Sequence, residues 1–385
     1  MAKFDQSAQL PKIFRDNNLS ILPVTRGDYI IGPFATHEAL RYKPTKPKQV
    51  ENPRLETLRP DNLYSEASAL FFAYNSGIIN DVMGSAKVNF TVNGRMGSGV
   101  FSFSVQNKLQ PQKPATIEVR NSQIEIDAGF ESPDAFLICE AKNQASEELL
   151  IRQLYYPYRL WSEKISKPVI PVFLAFSNDT FHVFTYEFQD KLNYNSIVLK
   201  NYKSYTFADE DISLQDIITV WRNTVEIREP SVTFPQANSF PRVLDLLSIL
   251  YEGELTRSEV TLKYEFDPRQ TDYYVSACEY LGLVERFPAA NHECAYRLTS
   301  DARRIMSLPY KRKHLGLIRK ILEKPVFYRA FGILIQSDRL PDRNAVCRIM
   351  QNTKFSKPIN ETTMDRRSST VNGWLNWMLR LAVAE

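Results

Sequence analysis

The stretch Gln123-Ile-Glu-Ile-Asp127-Ala-Gly-Phe-Glu-Ser-Pro-Asp134-Ala-Phe-Leu-Ile-Cys-Glu140-Ala-Lys142 decides how this chain is read. It contains two strand-like runs, Ser122–Phe130 and Ala135–Ala141, parted by the turn formers Glu131-Ser-Pro-Asp134. An apolar run that ends in Glu-Ala-Lys is unusual for a core strand. Side chains alternate along a strand, so Glu140 and Lys142 share one face. With Glu131–Asp134 as a four-residue turn, Phe130 opposes Ala135 and Asp127 opposes Ile138, which puts Asp127 on that same face. Two carboxylates beside an ammonium form a hard-oxygen site for Mg2+, an ion that activates water and neutralises charge in phosphodiester hydrolysis. Lys142 is placed to orient the attacking water or to stabilise the developing charge. Taken alone, the tripeptide also reads as a salt-bridged Glu-x-Lys on a solvated face. Asp134 follows a proline but is six strand residues from Glu140, about 20 Å at roughly 3.3 Å per residue, too far to share one ion.

Outward from this stretch, Ser65 is expected to cap a helix running to about Asn80. Lys87–Asn93 and Gly99–Val105 alternate with period two around the turn-rich Asn93–Gly99, which reads as a hairpin or loop. A helix from about Ser146 to Glu163 follows the Glu-Ala-Lys strand. The runs Val169–Phe176 and Phe181–Phe188 then form a further hairpin. The pattern is α+β (α/β): a mixed sheet with helices against it.

An acidic strand, a turn, then an apolar strand ending in Glu-x-Lys resembles the PD-(D/E)xK nuclease superfamily. Within it the chain looks most like a type II restriction endonuclease, over roughly Ser65–Glu187. The resemblance implies a restriction-endonuclease-like core and Mg2+-dependent, sequence-specific hydrolysis of double-stranded DNA. Asp127 and Glu140 would be the metal ligands, Lys142 the third catalytic residue, and a cognate DNA methyltransferase would belong to the same system. Many relatives carry an acid on the preceding helix, here Glu66, for which a solvated helix surface is the competing reading. Gln153, Tyr156 and Arg159 fall on one helix face and either support the site, touch phosphate or pack on the sheet. Arg95 in the glycine-rich segment either enters a DNA groove or sits in a plain surface turn.

Charge divides the chain unevenly. From Ser239 to Glu385 there are 23 Lys and Arg against 17 Asp and Glu, and the remainder carries 25 against 27. A basic back half suits a polyanion-binding region. The helical runs Pro241–Tyr251, Arg257–Tyr264 and Arg269–Leu281, followed by strand candidates Leu283–Phe287 and Ala295–Leu298, read as a winged helix-turn-helix. Its third helix, beginning near Asp267, would offer Arg269, Gln270 and Thr271 to base edges. The last helix would offer Arg366 and Arg367 to DNA, with Trp374 and Trp377 anchored in the core. A protein-binding winged helix is the alternative. The expected domains are 1–235 (nuclease with an N-terminal extension), 236–310 (winged helix) and 311–385 (a second helical DNA-binding module).

Composition narrows the rest. The 385 residues hold no apolar run long enough to span a membrane and begin with no secretory signal, so the expected location is cytoplasmic. Four scattered cysteines read as reduced thiols; a zinc site from Cys278, His292, Cys294 and Cys347 lacks the paired spacing such sites show. A palindromic target would favour a homodimer. Two other readings remain at this point: a repair or mobile-element nuclease with structural specificity, and an inactive DNA-binding regulator.

Overall fold

All seven residues of Phe136–Lys142 are buried, as expected of a strand hydrogen-bonded on both edges and covered on both faces. The computed structural model describes residues 4–43, 47–58, 63, 65–207, 210–263, 268–289 and 293–382. Two units form, Met1–Phe207 and Ala208–Glu385.

In the first unit the elements are α1 (Lys12–Asp16), β1 (Ser20–Pro23), β2 (Tyr29–Gly32), β3 (His37–Ala39), β4 (Lys48–Gln49), α2 (Glu66–Asn75), α3 (Ile78–Met83), β5 (Asn89–Gly97), β6 (Val100–Val105), β7 (Ala115–Arg120), β8 (Gln123–Glu131), β9 (Phe136–Lys142), β10 (Glu148–Leu150), α4 (Ile151–Lys164), β11 (Val169–Ser177), β12 (Thr180–Phe188) and β13 (Ile197–Thr206). Seven strands make one sheet in the order β4-β13-β12-β11-β9-β8-β5. It is mixed: β9 and β11 run parallel, as do β4 and β13, and the other pairs are antiparallel. The architecture is therefore α+β, with the connection between β9 and β11 carried by β10 and α4.

Alternation along β11 sorts its side chains into two cores. Phe173 and Ala175 pack on one face with Leu154 and Tyr155 of α4. Val172 and Leu174 pack on the other with Phe72 of α2 and Ile78 of α3. Each such large apolar side chain contributes about 1.5–3 kcal/mol on burial. Local signals set the ends of these elements. Ser65 caps α2 by accepting from the Ser68 amide, satisfying a donor the first turn leaves open. The β11–β12 hairpin closes on Asn178-Asp179, both left-handed at φ 52° and 58°, the conformation that Asn and Asp tolerate in two-residue hairpins.

Two expectations change here. The alternating runs either side of Asn93–Gly99 do not pair with each other. Instead β5 runs on through Gly97 and pairs with β8, while β6 pairs with β7 in a separate two-stranded sheet. Phe101 and Phe103 of β6 are thereby laid against Tyr155 and Tyr156 of α4, burial that a β5–β6 hairpin would not supply. The helix expected from Ser146 begins at Ile151, because Glu148–Leu150 is taken up as β10, paired with β3.

The second unit comprises α5 (Leu214–Arg222), α6 (Phe240–Glu252), β14 (Leu255–Thr256), α7 (Arg257–Lys263), α8 (Pro268–Tyr280), β15 (Val284–Pro288), β16 (Cys294–Leu298), α9 (Ser300–Met306), α10 (Tyr310–Leu322), α11 (Pro325–Ser337), α12 (Arg343–Gln351) and α13 (Glu361–Leu381). The three strands pair in the order β14-β16-β15. The break at Phe207 lies upstream of the boundary at 235 read from the sequence, because Ile217 of α5 packs in the second unit's core. Residues of 236–310 and of 311–385 share that one core. Trp374 stacks on Phe327 at 4.7 Å and Trp377 lies 4.1 Å from Phe240, centroid to centroid. Among the described residues no helix is long and apolar enough to cross a membrane. The four cysteines are free, and Asp267 and His292 lie outside the described residues.

Candidate active site

The turn between β8 and β9 sets the geometry of everything beyond it. The Ser132 hydroxyl accepts from the Asp134 and Ala135 amides at 3.3 and 3.1 Å, so the turn occupies Ser132–Ala135, one residue later than expected. Glu131 then pairs with Phe136 and Ala128 with Cys139. Continued by one residue, this register sets Asp127 opposite Glu140 instead of Ile138. A shift of two positions preserves the face, so Asp127 remains beside Glu140 and Lys142. Its carboxylate accepts the Ala141 amide at 2.8 Å, fixing one oxygen at the end of β9. Asp134 is exposed in the turn, at the opposite end of the strand from Glu140 and Lys142.

Glu140 is 6% exposed and accepts a hydrogen bond from the Gln153 side chain on α4. Lys142 Nζ lies 3.2 Å from Glu140, 3.4 Å from Glu66 and 3.5 Å from Asp5. Around them is a cavity of about 120 Å³, lined by Asp5, Glu66, Glu125, Asp127, Glu140, Lys142, Arg152 and Gln153 with Ile124 and Pro157. At about 30 Å³ per water molecule this holds a small ion with part of its hydration shell.

Burial and crowding of like charge govern the protonation of these acids. Glu140 is raised well above the usual carboxylate range, first by burial and then by Asp127, with Lys142 opposing. Asp127 is raised by burial, against the Ala141 hydrogen bond and Lys142. Glu66 is raised by burial, again with Lys142 opposing. Carboxylates held this way favour a proton or a cation between them. Among the described residues no three His, Cys, Asp or Glu side chains are arranged to hold a metal ion; Glu66 and Asp5 are drawn to the Lys142 ammonium instead. The donor set that fits Mg2+ is the desolvated pair Asp127 and Glu140, hard oxygens that such an ion binds while retaining water.

The other residues singled out by sequence separate. Of Gln153, Tyr156 and Arg159 on α4, Gln153 is the one that lines the cavity. The Tyr156 hydroxyl donates to the Pro23 carbonyl at 3.0 Å. Arg159 donates to the Ser102 carbonyl at 2.9 Å and lies over the Phe101 ring, so both are packing residues beneath the β6–β7 layer. Arg95 is on strand β5 and not in a turn, exposed and 3.3 Å from Glu125. In the second unit Arg269 is exposed and Gln270 half-buried, on the first turn of α8. Thr271 does not face solvent: it is 0% exposed, its hydroxyl 3.0 Å from that of Thr261 on α7. The helical turn that presents Arg269 points Thr271 inward, which removes it from any DNA-contacting set. Arg366 is exposed; Arg367 is half-buried, its charge disfavoured first by burial and then by Arg366.

Among the charged lining residues, Arg152 and Asp5 were missed, and Glu125 was weighed only as an alternative to Asp127 under a one-residue slip of register. Glu125 is two positions before Asp127, so strand alternation could have found it. Arg152 and Asp5 had no such signal, because the cavity is assembled from β8, β9, α4, the start of α2 and the N-terminal segment.

Three family profiles match in tandem, each described as a domain of unknown function: DUF6996 over residues 1–31, DUF6997 over 32–206 and DUF7226 over 242–383. No curated protein and no solved structure matches the chain. The cavity is lined from both of the first two matched segments, Asp5 from one and the remaining residues from the other.

Proposed function

We propose that the chain is a Mg2+-dependent endonuclease acting on double-stranded DNA, with a PD-(D/E)xK-type core in the first unit and the sequence specificity of a type II restriction enzyme. The observation that carries this reading is the convergence of Asp127 from the middle of β8 with Glu140 and Lys142 from the end of the adjacent β9 around one small acidic cavity.

Asp127 and Glu140 would hold the ion, which supplies charge neutralisation at the phosphate and a lowered pKa for attacking water. The Ala141 amide fixes the orientation of the Asp127 carboxylate, and Gln153 does the same for Glu140. The Lys142 ammonium sits where it can donate to a phosphate oxygen as negative charge builds there.

In the second unit, the succession α6, β14, α7, α8, β15, β16 supports a winged-helix reading. In such a module α8 enters the major groove and Arg269 and Gln270 address base edges, with Arg366 and Arg367 on the phosphate backbone. Plasmid DNA incubated with the purified chain and Mg2+ tests the proposal. Discrete fragments, abolished in Glu140→Ala and retained in Asp134→Ala, are expected. Smearing or nicking points to a repair-type nuclease, and tight binding without cutting in any divalent ion refutes the enzymatic reading.

A further inference from the structure

The cavity holds two cations, and they are treated differently. Lys142 is surrounded by three carboxylates within 3.5 Å. Arg152, on the first turn of α4, lines the same cavity and is only 8% exposed. Among the described residues its guanidinium makes no ion pair and no hydrogen bond, unlike Arg159 two turns further along α4, whose Nη1 donates to a carbonyl and a hydroxyl. Guanidinium remains charged under any condition a folded protein meets, so burial cannot neutralise it as it can a lysine. A buried, unpaired and permanently cationic side chain that lines a cavity suits a planar or tetrahedral oxyanion.

We propose that Arg152 is the phosphate-binding residue of this site, taking two oxygens of a backbone phosphodiester while Lys142 remains bound among its carboxylates until the phosphate arrives. The inference rests on the nuclease reading for the identity of the anion, but not for its existence. It also answers an electrostatic problem. Asp5, Glu66, Glu125, Asp127 and Glu140 all border the cavity, and a polyanion approaching five acids needs a cation that is not already engaged.

The test uses the full chain and three arms. Phenylglyoxal labelling read by peptide mass spectrometry should show Arg152 of the wild-type protein protected several-fold by a short duplex in Ca2+, and also by inorganic phosphate. Arg152→Met should melt with the wild type yet lose about 100-fold in kcat/KM, the usual effect of removing one donor to a developing oxyanion. Arg152→Lys should fall between them, since it keeps the charge without the fork. If the wild type leaves DNA intact but phosphate still protects Arg152, the nuclease reading fails and the anion site stands. If the wild type cuts, both variants cut with unchanged kcat and KM, and no probe slows labelling, the assignment of Arg152 is overturned.

Discussion

Glu140→Gln should make the first unit more stable while abolishing cleavage. Glu140 is almost fully buried and its carboxyl is raised well above the usual range by burial and by Asp127. A carboxyl whose folded pKa exceeds its unfolded one binds more protons in the folded state, so its contribution is favourable at low pH and is lost as pH rises through the folded pKa. Above the unfolded pKa the wild type therefore carries the cost of a carboxyl whose charge is desolvated in the fold, up to several kcal/mol for an ion in a protein interior. Glutamine removes that charge, can still accept from Gln153, and gives up only the Lys142 contact at 3.2 Å, leaving Lys142 with Glu66 and Asp5. A net gain of about 2 kcal/mol is expected, which for a unit of this size raises Tm by roughly 4–8 °C. Differential scanning calorimetry in EDTA at pH 8 measures it. Added Mg2+ should raise the wild-type transition and leave the variant unmoved, closing the gap between them. The gap should also narrow as pH falls from 8, because the folded state holds the Glu140 proton more tightly than the unfolded chain does. A variant that melts below the wild type at pH 8 without cation would refute the reasoning: Glu140 would then be an ordinary structural partner of Lys142, and its burial no sign of a cation site.

Burial lowers His182 to about 4, with its ring nitrogen 2.7 Å from the Tyr202 hydroxyl. A depressed histidine contributes stability above its unfolded pKa that is lost as pH falls towards the folded one. The wild type's advantage over His182→Gln in urea unfolding should therefore shrink by about 1–3 kcal/mol between pH 7 and pH 4; an unchanged difference would mean the imidazole is as well solvated as in the unfolded chain. In the second unit a Cβ at Gly373 would meet the Asn238 carbonyl oxygen at 2.1 Å. Gly373→Ala should thus push α13 from the backbone that Trp374 holds through the Ala237 carbonyl, costing about 1–3 kcal/mol or more in thermal melting of that unit. Arg366→Ala with Arg367→Ala should weaken duplex binding and flatten its salt dependence by about two phosphate contacts, whereas Thr271→Val should leave both unchanged because the hydroxyl faces Thr261. Fluorescence anisotropy over a salt series separates the two outcomes.

Period-two alternation, a local property, already placed Asp127, Glu140 and Lys142 on one face. Even the misjudged turn did no harm, since the register moved by two positions and parity survived. The mixed sheet, the β11–β12 hairpin and the cores under α2 and α4 were legible for the same reason: each is written in contiguous residues whose spacing matches one repeat. The failures share an opposite cause. The fate of β5 and β6 depended on which distant surface could bury Phe101 and Phe103. Thr271 turned inward because α7 lies against α8, and of the two readings open for Tyr156 and Arg159, packing prevailed through partners far away in the chain. Arg152 and Asp5 carry no local mark at all. Sequence by itself determined that two acids and a lysine would meet on one face. Only the tertiary structure decided what closes around them, because a cavity takes its walls from segments whose proximity is a product of packing and not of spacing.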